Sequence, residues 1–233
     1  LPTGSARYPA GTDVTALPGF EAGDFWVQDA AAALPVRLLK PRQDERVLDL
    51  CAAPGGKTMQ MAAWGAEVTA VDRDANRLAR LRENLARLRL RAEIVTADAT
   101  QFRREEKFPA ILLDAPCSAT GTIRRHPDIP RLRRPQDIAS LTALQDRLLD
   151  AAAALLAPGG RLVYAVCSLQ PEEGAPRAEA AAKRHGLRLD PVRPEELPGL
   201  PEAVTAEGYL QTDPALWPDR GGMDGFFAAR LTR

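Results

Sequence analysis

Long apolar runs are missing from this sequence of 233 residues. No stretch approaches the roughly 18 consecutive apolar residues that a membrane helix requires, so a membrane-spanning protein is not expected. The segment that begins at Leu1 also lacks a basic stretch followed by an apolar core and a small-residue cleavage site. No secretory signal is therefore predicted, and we expect a cytoplasmic chain without a membrane partner.

Cysteine is scarce, with only Cys51, Cys117 and Cys167 in the chain. Three cysteines cannot all pair, and their spacings match neither a zinc site nor a disulfide framework. We therefore expect three free thiols and no bound metal.

A net charge is also missing, because 31 basic residues balance 31 acidic ones. The chain as a whole gives no electrostatic argument for a nucleic-acid partner. One segment of eleven residues is locally basic, with a single acid, Asp128, and with His126 among its arginines. Those arginines are Arg124, Arg125, Arg131, Arg133 and Arg134. They fit a patch that contacts phosphates as well as they fit a solvated helix face.

Short apolar runs alternate with helical patterns from Arg46 onward, which predicts an α/β fold with a doubly wound, mostly parallel sheet. The predicted strands are 47–50, 67–71, 93–95, 110–113 and 161–166. The predicted helices are 29–39, 58–64, 75–88, 138–156 and one that ends near His185. In such sheets ligands bind beyond the carboxyl ends of the strands, so functional residues are expected just after each strand.

The composition, with 45% hydrophobic and 27% charged residues, fits one globular domain of this length. Residues 1–28 are predicted to form an irregular or hairpin-like lead-in packed on a catalytic domain of residues 29–233. The stretch 191–218 is rich in proline and gives no clear prediction. A run from Gly225 to Leu231 predicts a final strand.

The first predicted strand leads into a tight loop of small residues, followed by the start of a helix. The loop residues are Cys51, Ala52, Ala53, Pro54, Gly55, Gly56 and Lys57. Such a loop lets the backbone approach a ligand, and the helix N-terminus offers unpaired N–H groups. A P-loop would need glycine at position 51, and a dinucleotide fingerprint would need Gly-x-Gly-x-x-Gly, so neither motif is present.

Acidic residues follow three successive strands around this loop. Asp72 is placed to accept hydrogen bonds from ribose hydroxyls, and Asp98 could accept one from an adenine amino group. Asp114 follows the fourth strand. A single such residue is often only a helix cap, but three together favour an adenosine ligand without a pyrophosphate. S-adenosylmethionine fits that description better than a dinucleotide does.

Two cysteines follow adjacent strands and face this loop: Cys117 after the fourth strand and Cys167 after the fifth. Each alone reads as a small buried residue. Together they favour a reaction in which a thiol attacks the substrate. Methylation of cytosine at C5 is such a reaction, because C5 becomes nucleophilic only after a group such as a thiolate adds to C6. The residues alone leave open which of the two thiols attacks.

Several segments resemble the RsmB/Sun (Fmu) group of ribosomal RNA cytosine-5 methyltransferases. They are the loop 51–57, the segment 114–121, Ile123-Arg124-Arg125-His126-Pro127-Asp128-Ile129, Cys167-Ser168 with Pro171-Glu172-Glu173, Phe25-Trp26-Val27-Gln28-Asp29 and the closing 224–231. The similarity runs from about Phe20 to the last strand. It implies a Rossmann-like class I S-adenosylmethionine-dependent methyltransferase with a seven-stranded sheet whose last strand is antiparallel.

The resemblance also implies roles for individual residues. The cofactor contacts would fall on the loop 51–57, Asp72, Asp98 and Asp114. The nucleophile would be Cys167, since this family uses the cysteine after the fifth strand, and Cys117 would assist product release. Asp114 would hydrogen-bond the base.

The resemblance further implies that the partner is RNA, most simply small-subunit ribosomal RNA, bound by a monomer. Arg124, Arg125 and His126 are the expected RNA contacts. Val166 and Gly174 stand where the family usually has threonine and asparagine. The family usually also carries an upstream helical RNA-binding domain, which this chain does not include.

Two alternatives remain. A non-catalytic RNA-binding factor would be expected to lose the cofactor loop, the acids or the thiols, yet all are present. Methylation of a small molecule or a protein on the same fold would not need two cysteines.

Overall fold

The computed structural model describes residues 1–9, 11–197 and 199–233, so position 10 of the lead-in and position 198 of the proline-rich stretch lie outside it. The strands within these ranges are β1 Arg46–Leu50, β2 Glu67–Asp72, β3 Glu93–Thr96, β4 Phe108–Asp114, β5 Leu156–Val166, β6 Arg188–Leu189, β7 Leu210–Thr212 and β8 Phe226–Thr232. The helices there are α1 Leu34–Leu39, α2 Gly56–Ala63, α3 Ala75–Leu88, α4 Ile129–Leu132, α5 Pro135–Leu155 and α6 Ala175–His185.

One sheet forms the centre of the molecule, in the order β3-β2-β1-β4-β5-β8-β6. Strands β1 to β5 pair in parallel, and β8 lies antiparallel to β5. The predicted α/β fold with an antiparallel last strand is confirmed. The sheet order reverses between β1 and β4, and ligands bind at this point in doubly wound folds.

The described part of the sheet has eight strands, and the expected number of seven was wrong. Both β6 and β7 pair with β8, on the edge that β5 leaves free. The proline-rich stretch supplies β7, which has only three residues. Strands this short carry too little alternation to be predicted from sequence.

The central strands are buried on both faces, which explains their continuous apolar runs. In β4, Ile111 and Leu113 pack with the cluster that includes α5 and α6. Leu112, between them, packs with the opposite cluster, which includes α1. Successive side chains of a strand point to opposite faces, so one run of leucine and isoleucine fills both halves of the core.

The helices follow local signals that the sequence carries. In α3, Leu78, Leu81, Leu85 and Leu88 are buried at intervals of three and four residues. The carboxylate of Asp74 begins this helix by accepting hydrogen bonds from two backbone N–H groups of its first turn.

Several predicted boundaries shift. The predicted helix 138–156 begins at Pro135, a residue with a φ suited to a first helical turn. The predicted helix 29–39 is a 3-10 turn, Ala31–Ala33, followed by α1. Residues 157–160, between the predicted helix 138–156 and the predicted strand 161–166, form the irregular first part of β5, where the pairing register with β4 shifts.

The lead-in packs against α3 through Phe20. The guanidinium of Arg87 lies 4.1 Å from the centroid of the Phe20 ring. It also donates to the carbonyl oxygens of Phe20 and Phe25. The domain boundary at residue 28 stays a prediction. None of the helices in the described ranges combines the length and hydrophobicity that a membrane crossing needs.

Candidate functional site

A cavity of about 1210 Å³ opens at the carboxyl ends of β1, β4 and β5. Most of the predicted site residues line it: Cys51, Ala52, Ala53, Pro54, Gly56, Lys57, Asp114, Arg124, Arg125 and Cys167. Residues from the lead-in, including Tyr8 and Gln28, form part of the same wall. The cavity is therefore the place where the predicted cofactor loop and one predicted thiol meet.

The loop 51–57 is fixed in position by contacts with α3 and with the end of β2. Gly55 has a φ of 104°, and a Cβ there would lie 2.1 Å from the side chain of Leu81. Glycine is required because the loop passes so close to α3. The backbone N–H of Ala53 donates to Asp72 Oδ2 at 3.0 Å, which fixes the loop to the end of β2.

The three predicted acids take different positions. Asp114 lies on the cavity wall. Asp72 is buried beneath the loop, and each of its oxygens accepts one backbone N–H bond and keeps a second lone pair. Asp98 is exposed outside the cavity lining and accepts hydrogen bonds from Thr100 within its own turn.

Asp49, which the sequence reading missed, also lines the cavity. It is 1% exposed, and Thr58 Oγ1 donates to its Oδ2 at 2.5 Å. Its Oδ1 is buried without a hydrogen-bond partner among the described residues. Burial is the main cause that raises the pKa of Asp49 to about 7. An acid in the middle of an apolar strand was the available signal.

Lys57 and Asp114 form an ion pair at the cavity wall, with 2.6 Å between Nζ and Oδ2. The Lys57 ammonium also lies 5.0 Å from the centroid of the Phe226 ring. Burial alone would lower the pKa of Lys57, but the charge and hydrogen bond of Asp114 raise it on balance. Lys57 is therefore a buried cation whose charge is stabilised by Asp114.

The two predicted thiols meet. Cys117 and Cys167 have their Sγ atoms 3.5 Å apart, and all three cysteines are free as predicted. Their hydrogen bond is the largest influence on both groups: it lowers the pKa of Cys167 and, with burial, raises the pKa of Cys117 well above its usual value. Burial and Asp114 oppose the lowering at Cys167, and the Lys57 charge assists it.

The third thiol is of a different kind. Burial, followed by the charges of Asp72, Asp114 and Asp49, raises the pKa of Cys51 far above the ordinary range. Cys51 therefore stays a thiol and has the chemistry of a small packing residue.

Close backbone contacts bring the strand ends together around Cys167. The Gly121 N–H donates to the Cys167 carbonyl at 3.1 Å, and the Gly225 N–H donates to the Gly121 carbonyl at 2.8 Å. A Cβ on Gly121 would lie 2.0 Å from the Gly225 oxygen. Three segments therefore approach one another at a distance that only glycine permits.

The predicted RNA contacts are partly engaged within the protein. Arg125 donates to Asp224 Oδ2 at 2.5 and 2.8 Å, and Arg124 bonds both Asp29 and Asp224. Asp224 is fully buried, whereas the two arginine side chains are 34% and 46% exposed. His126 is exposed outside the cavity lining. RNA binding by these three residues stays a prediction.

A buried carboxylate, Glu173, lies behind the two thiols and was also missed as a site residue. It is fully buried and accepts hydrogen bonds from Ser118, Ser168 and Gln145. The sequence signal was present in Pro171-Glu172-Glu173, but nothing in the sequence distinguishes the buried glutamate from its exposed neighbour Glu172.

Sequence comparison identifies relatives over nearly the whole chain. The family described as 16S rRNA methyltransferase RsmB/F matches residues 36–232. The Ribosomal RNA small subunit methyltransferase B of Erwinia tasmaniensis is 46% identical over 93% of this chain and 49% of its own length. The protein of the same name from Citrobacter koseri is 51% identical over 97% of this chain and 51% of its own. The chain thus spans about half the length of these relatives.

Solved structures with the same fold include NSun6 from Pyrococcus horikoshii with SFG, at a TM-score of 0.81 and 29% identity, covering 95% of this chain and 56% of that one. A methyltransferase homologue from the same organism has a TM-score of 0.78 and 31% identity, covering 96% and 72%. The Rossmann-like methyltransferase fold is confirmed by these similarities and by the observed sheet order. On the sequence match and the fold, this chain belongs to the RsmB/F family of 16S rRNA methyltransferases.

Proposed function

We propose that this chain methylates C5 of a cytosine in RNA, with small-subunit ribosomal RNA as the substrate and Cys167 as the nucleophile. The observation that carries the proposal is the 3.5 Å contact between the Cys117 thiol and the thiol of Cys167, which lines the cofactor cavity. Methylation of an amino or hydroxyl group would need no such pair, because those groups are already nucleophilic.

The cofactor is S-adenosylmethionine, as expected for a methyltransferase family, and the NSun6 relative was solved with SFG, an analogue of it. The cavity fits this molecule. Its loop of small residues admits an adenosine, and the unpartnered Oδ1 of Asp49 suits a cationic group. When bound, the cofactor supplies the methyl group that C5 accepts.

Attack requires a thiolate at Cys167. The Cys117 hydrogen bond and the Lys57 charge lower its pKa, so a larger fraction is ionised near neutral pH. Its Sγ forms a bond to C6, and the C5–C6 π electrons become available at C5. Asp114 accepts a hydrogen bond from the cytosine amino group, and the paired Lys57 ammonium stabilises negative charge that develops on the base.

Release reverses the attack. A water molecule takes the C5 proton, the C–H electron pair restores the C5–C6 double bond, and the C6–S electron pair returns to Cys167. The thiol of Cys117 donates its hydrogen bond to the departing sulfur. A thiolate whose negative charge is stabilised in this way is a better leaving group.

The test is RNA in which the target cytosines are replaced by 5-fluorocytosine. Fluorine at C5 blocks the loss of a proton, so the enzyme should remain covalently attached to the RNA in the presence of S-adenosylmethionine. Mass spectrometry should locate the link at Cys167, and Cys167→Ala should form no adduct. Methylation of normal RNA without any adduct on fluorinated RNA, or an adduct at Cys117, would overturn the proposal.

A further inference from the structure

The residues that follow the two thiols share one partner. Ser118 Oγ and Ser168 Oγ both donate to Glu173 Oε2, at 2.6 and 2.5 Å. The backbone N–H of Ser118 adds a bond to Oε1 at 3.0 Å. One carboxylate is therefore bonded to the residue next to Cys117 and to the residue next to Cys167.

A second set of contacts holds the same carboxylate in place. Gln145 of α5 donates through Nε2 to Glu173 Oε1 and to the Pro116 carbonyl, both at 2.9 Å. The hydroxyl of Tyr164 donates to the Glu173 carbonyl at 2.7 Å. Glu173, Gln145 and Tyr164 are all fully buried. A carboxylate at this depth is stable only because several donors surround it.

We infer that Glu173 is a positioning residue that sets the spacing of the two thiols, and thereby the rate at which Cys167 is released from the methylated base. This inference rests on the proposed function. The hydrogen bonds of the Glu173 carboxylate go to Ser118, Ser168 and Gln145 and not to the sulfur atoms, although its charge helps to raise the pKa of Cys117. It acts through the serines, which tie the loop after β4 to the loop after β5 directly behind Cys117 and Cys167.

The release step is the one most sensitive to this spacing. Attack needs Cys167 and the base, whereas release also needs the Cys117 hydrogen bond to the departing sulfur. That bond is 3.5 Å long and weakens steeply if the loops move apart. Loss of Glu173 should therefore imitate the loss of Cys117 and leave the cofactor loop unaffected.

The variant Glu173→Gln keeps the volume and replaces one acceptor oxygen with a donor. We expect product release to slow by about ten- to a hundredfold, the range that corresponds to one lost hydrogen bond to a charged group. During turnover on RNA that contains ordinary cytosine, the covalent enzyme–RNA adduct should accumulate, as it should in Cys117→Ala. The matched control is Glu172→Gln, which alters the exposed neighbouring acid and should behave like the wild type.

A double-mutant cycle separates positioning from general stability. If Glu173 acts through Cys117, Glu173→Gln should slow release in the wild type and cause no further slowing in Cys117→Ala. Equal slowing in both backgrounds, or equal loss of attack and release, would overturn the inference. Ser118→Ala is the second variant and should also accumulate the adduct if Glu173→Gln fails to fold.

An independent readout needs no methyl transfer. The rate of alkylation of Cys167 by iodoacetamide, measured against pH, reports the pKa of its thiol. Glu173→Gln should shift that profile to higher pH, because the Cys117 hydrogen bond is the largest cause that lowers this pKa. An unchanged profile would sink the inference. Failure of the wild type to form an adduct on fluorinated RNA would sink the proposed function instead.

Discussion

Cys117 and Cys167 stand fifty residues apart in the chain, and their sulfur atoms lie 3.5 Å apart in the fold. This contact gives two identical side chains opposite pKa shifts, downward at Cys167 and upward at Cys117. One sulfur gives up its proton more easily because the other keeps its own. When two thiols interact this strongly, the first pKa is a property of the pair and not of either cysteine alone. The hydrogen bond then determines which sulfur carries the negative charge.

Removing the donor should raise the pKa of the remaining thiol. In Cys117→Ala the hydrogen bond that lowers the pKa of Cys167 is lost, and burial then raises it. Alkylation of Cys167 by iodoacetamide at pH 7.5 should slow by about tenfold for each unit of pKa gained. Peptide mass spectrometry distinguishes Cys167 from Cys51. Faster alkylation in the variant would contradict the assignment of Cys117 as donor.

Binding of S-adenosylhomocysteine, which the cofactor becomes after methyl transfer, should depend on the charge of Asp49. In the free protein burial raises the pKa of Asp49 to about 7, so the side chain is protonated below that pH. The cationic amino group of S-adenosylhomocysteine should bind more tightly to the ionised form of Asp49. The affinity for S-adenosylhomocysteine, measured by calorimetry, should fall by about tenfold for each pH unit below 7 and level off above it.

Asp49→Asn provides the control for that prediction, because the amide cannot ionise. Its affinity should be weak and independent of pH between 5.5 and 8. The same raised pKa makes the free protein more stable at low pH. This contribution is present below the ordinary Asp pKa and is lost as the pH rises to about 7. A pH-independent affinity in the wild type would refute the role of Asp49.

The arginines beside Asp224 offer a test of RNA contact. Replacing both Arg124 and Arg125 with glutamine should weaken RNA binding and reduce the salt dependence, with about 0.7 lost from the slope for each phosphate contact. Asp224→Asn is the matched control, since it disturbs the same hydrogen bonds and keeps both positive charges. An equal effect of the two variants on the salt slope would indicate a structural role only.

Gly121 should tolerate no side chain. A Cβ there would lie 2.0 Å from the Gly225 oxygen and 3.0 Å from the Cys167 oxygen, so both backbones would have to shift. Gly121→Ala should abolish methyl transfer and lower the melting temperature. Gly159→Asn is the comparison, because no described heavy atom lies within 4 Å of a Cβ at that position. A fully active Gly121→Ala enzyme would show that the close approach is dispensable.

The sequence predicts the sheet and the position of the loop 51–57 well because their signals are local. Apolar runs mark β1 to β5, and the small residues after β1 mark the loop before α2. The ranking of Cys117 and Cys167 came only from resemblance. That ranking stays a prediction, because a contact between segments fifty residues apart leaves no local pattern in the sequence.

The site residues that the sequence does not predict were missed for one reason, which is their dependence on tertiary packing. Asp49 and Glu173 are ordinary acids in the sequence, and their importance comes from burial that tertiary packing creates. Arg124 and Arg125 read as free charges, but Asp224 reaches them from a segment about one hundred residues later. Long-range pairing of this kind leaves no local pattern to detect.

The position of β8 has a consequence for the order of events on the ribosome. This strand is late in the sequence, yet it lies inside the sheet, between β5 and the short strands β6 and β7. Gly225, which precedes it, anchors the loop beside Cys167. During synthesis, the part of the domain through β5 can collapse early, before the last neighbour of Cys167 has been made. The surroundings of Cys167 are therefore complete only after residues 225–232 leave the exit tunnel.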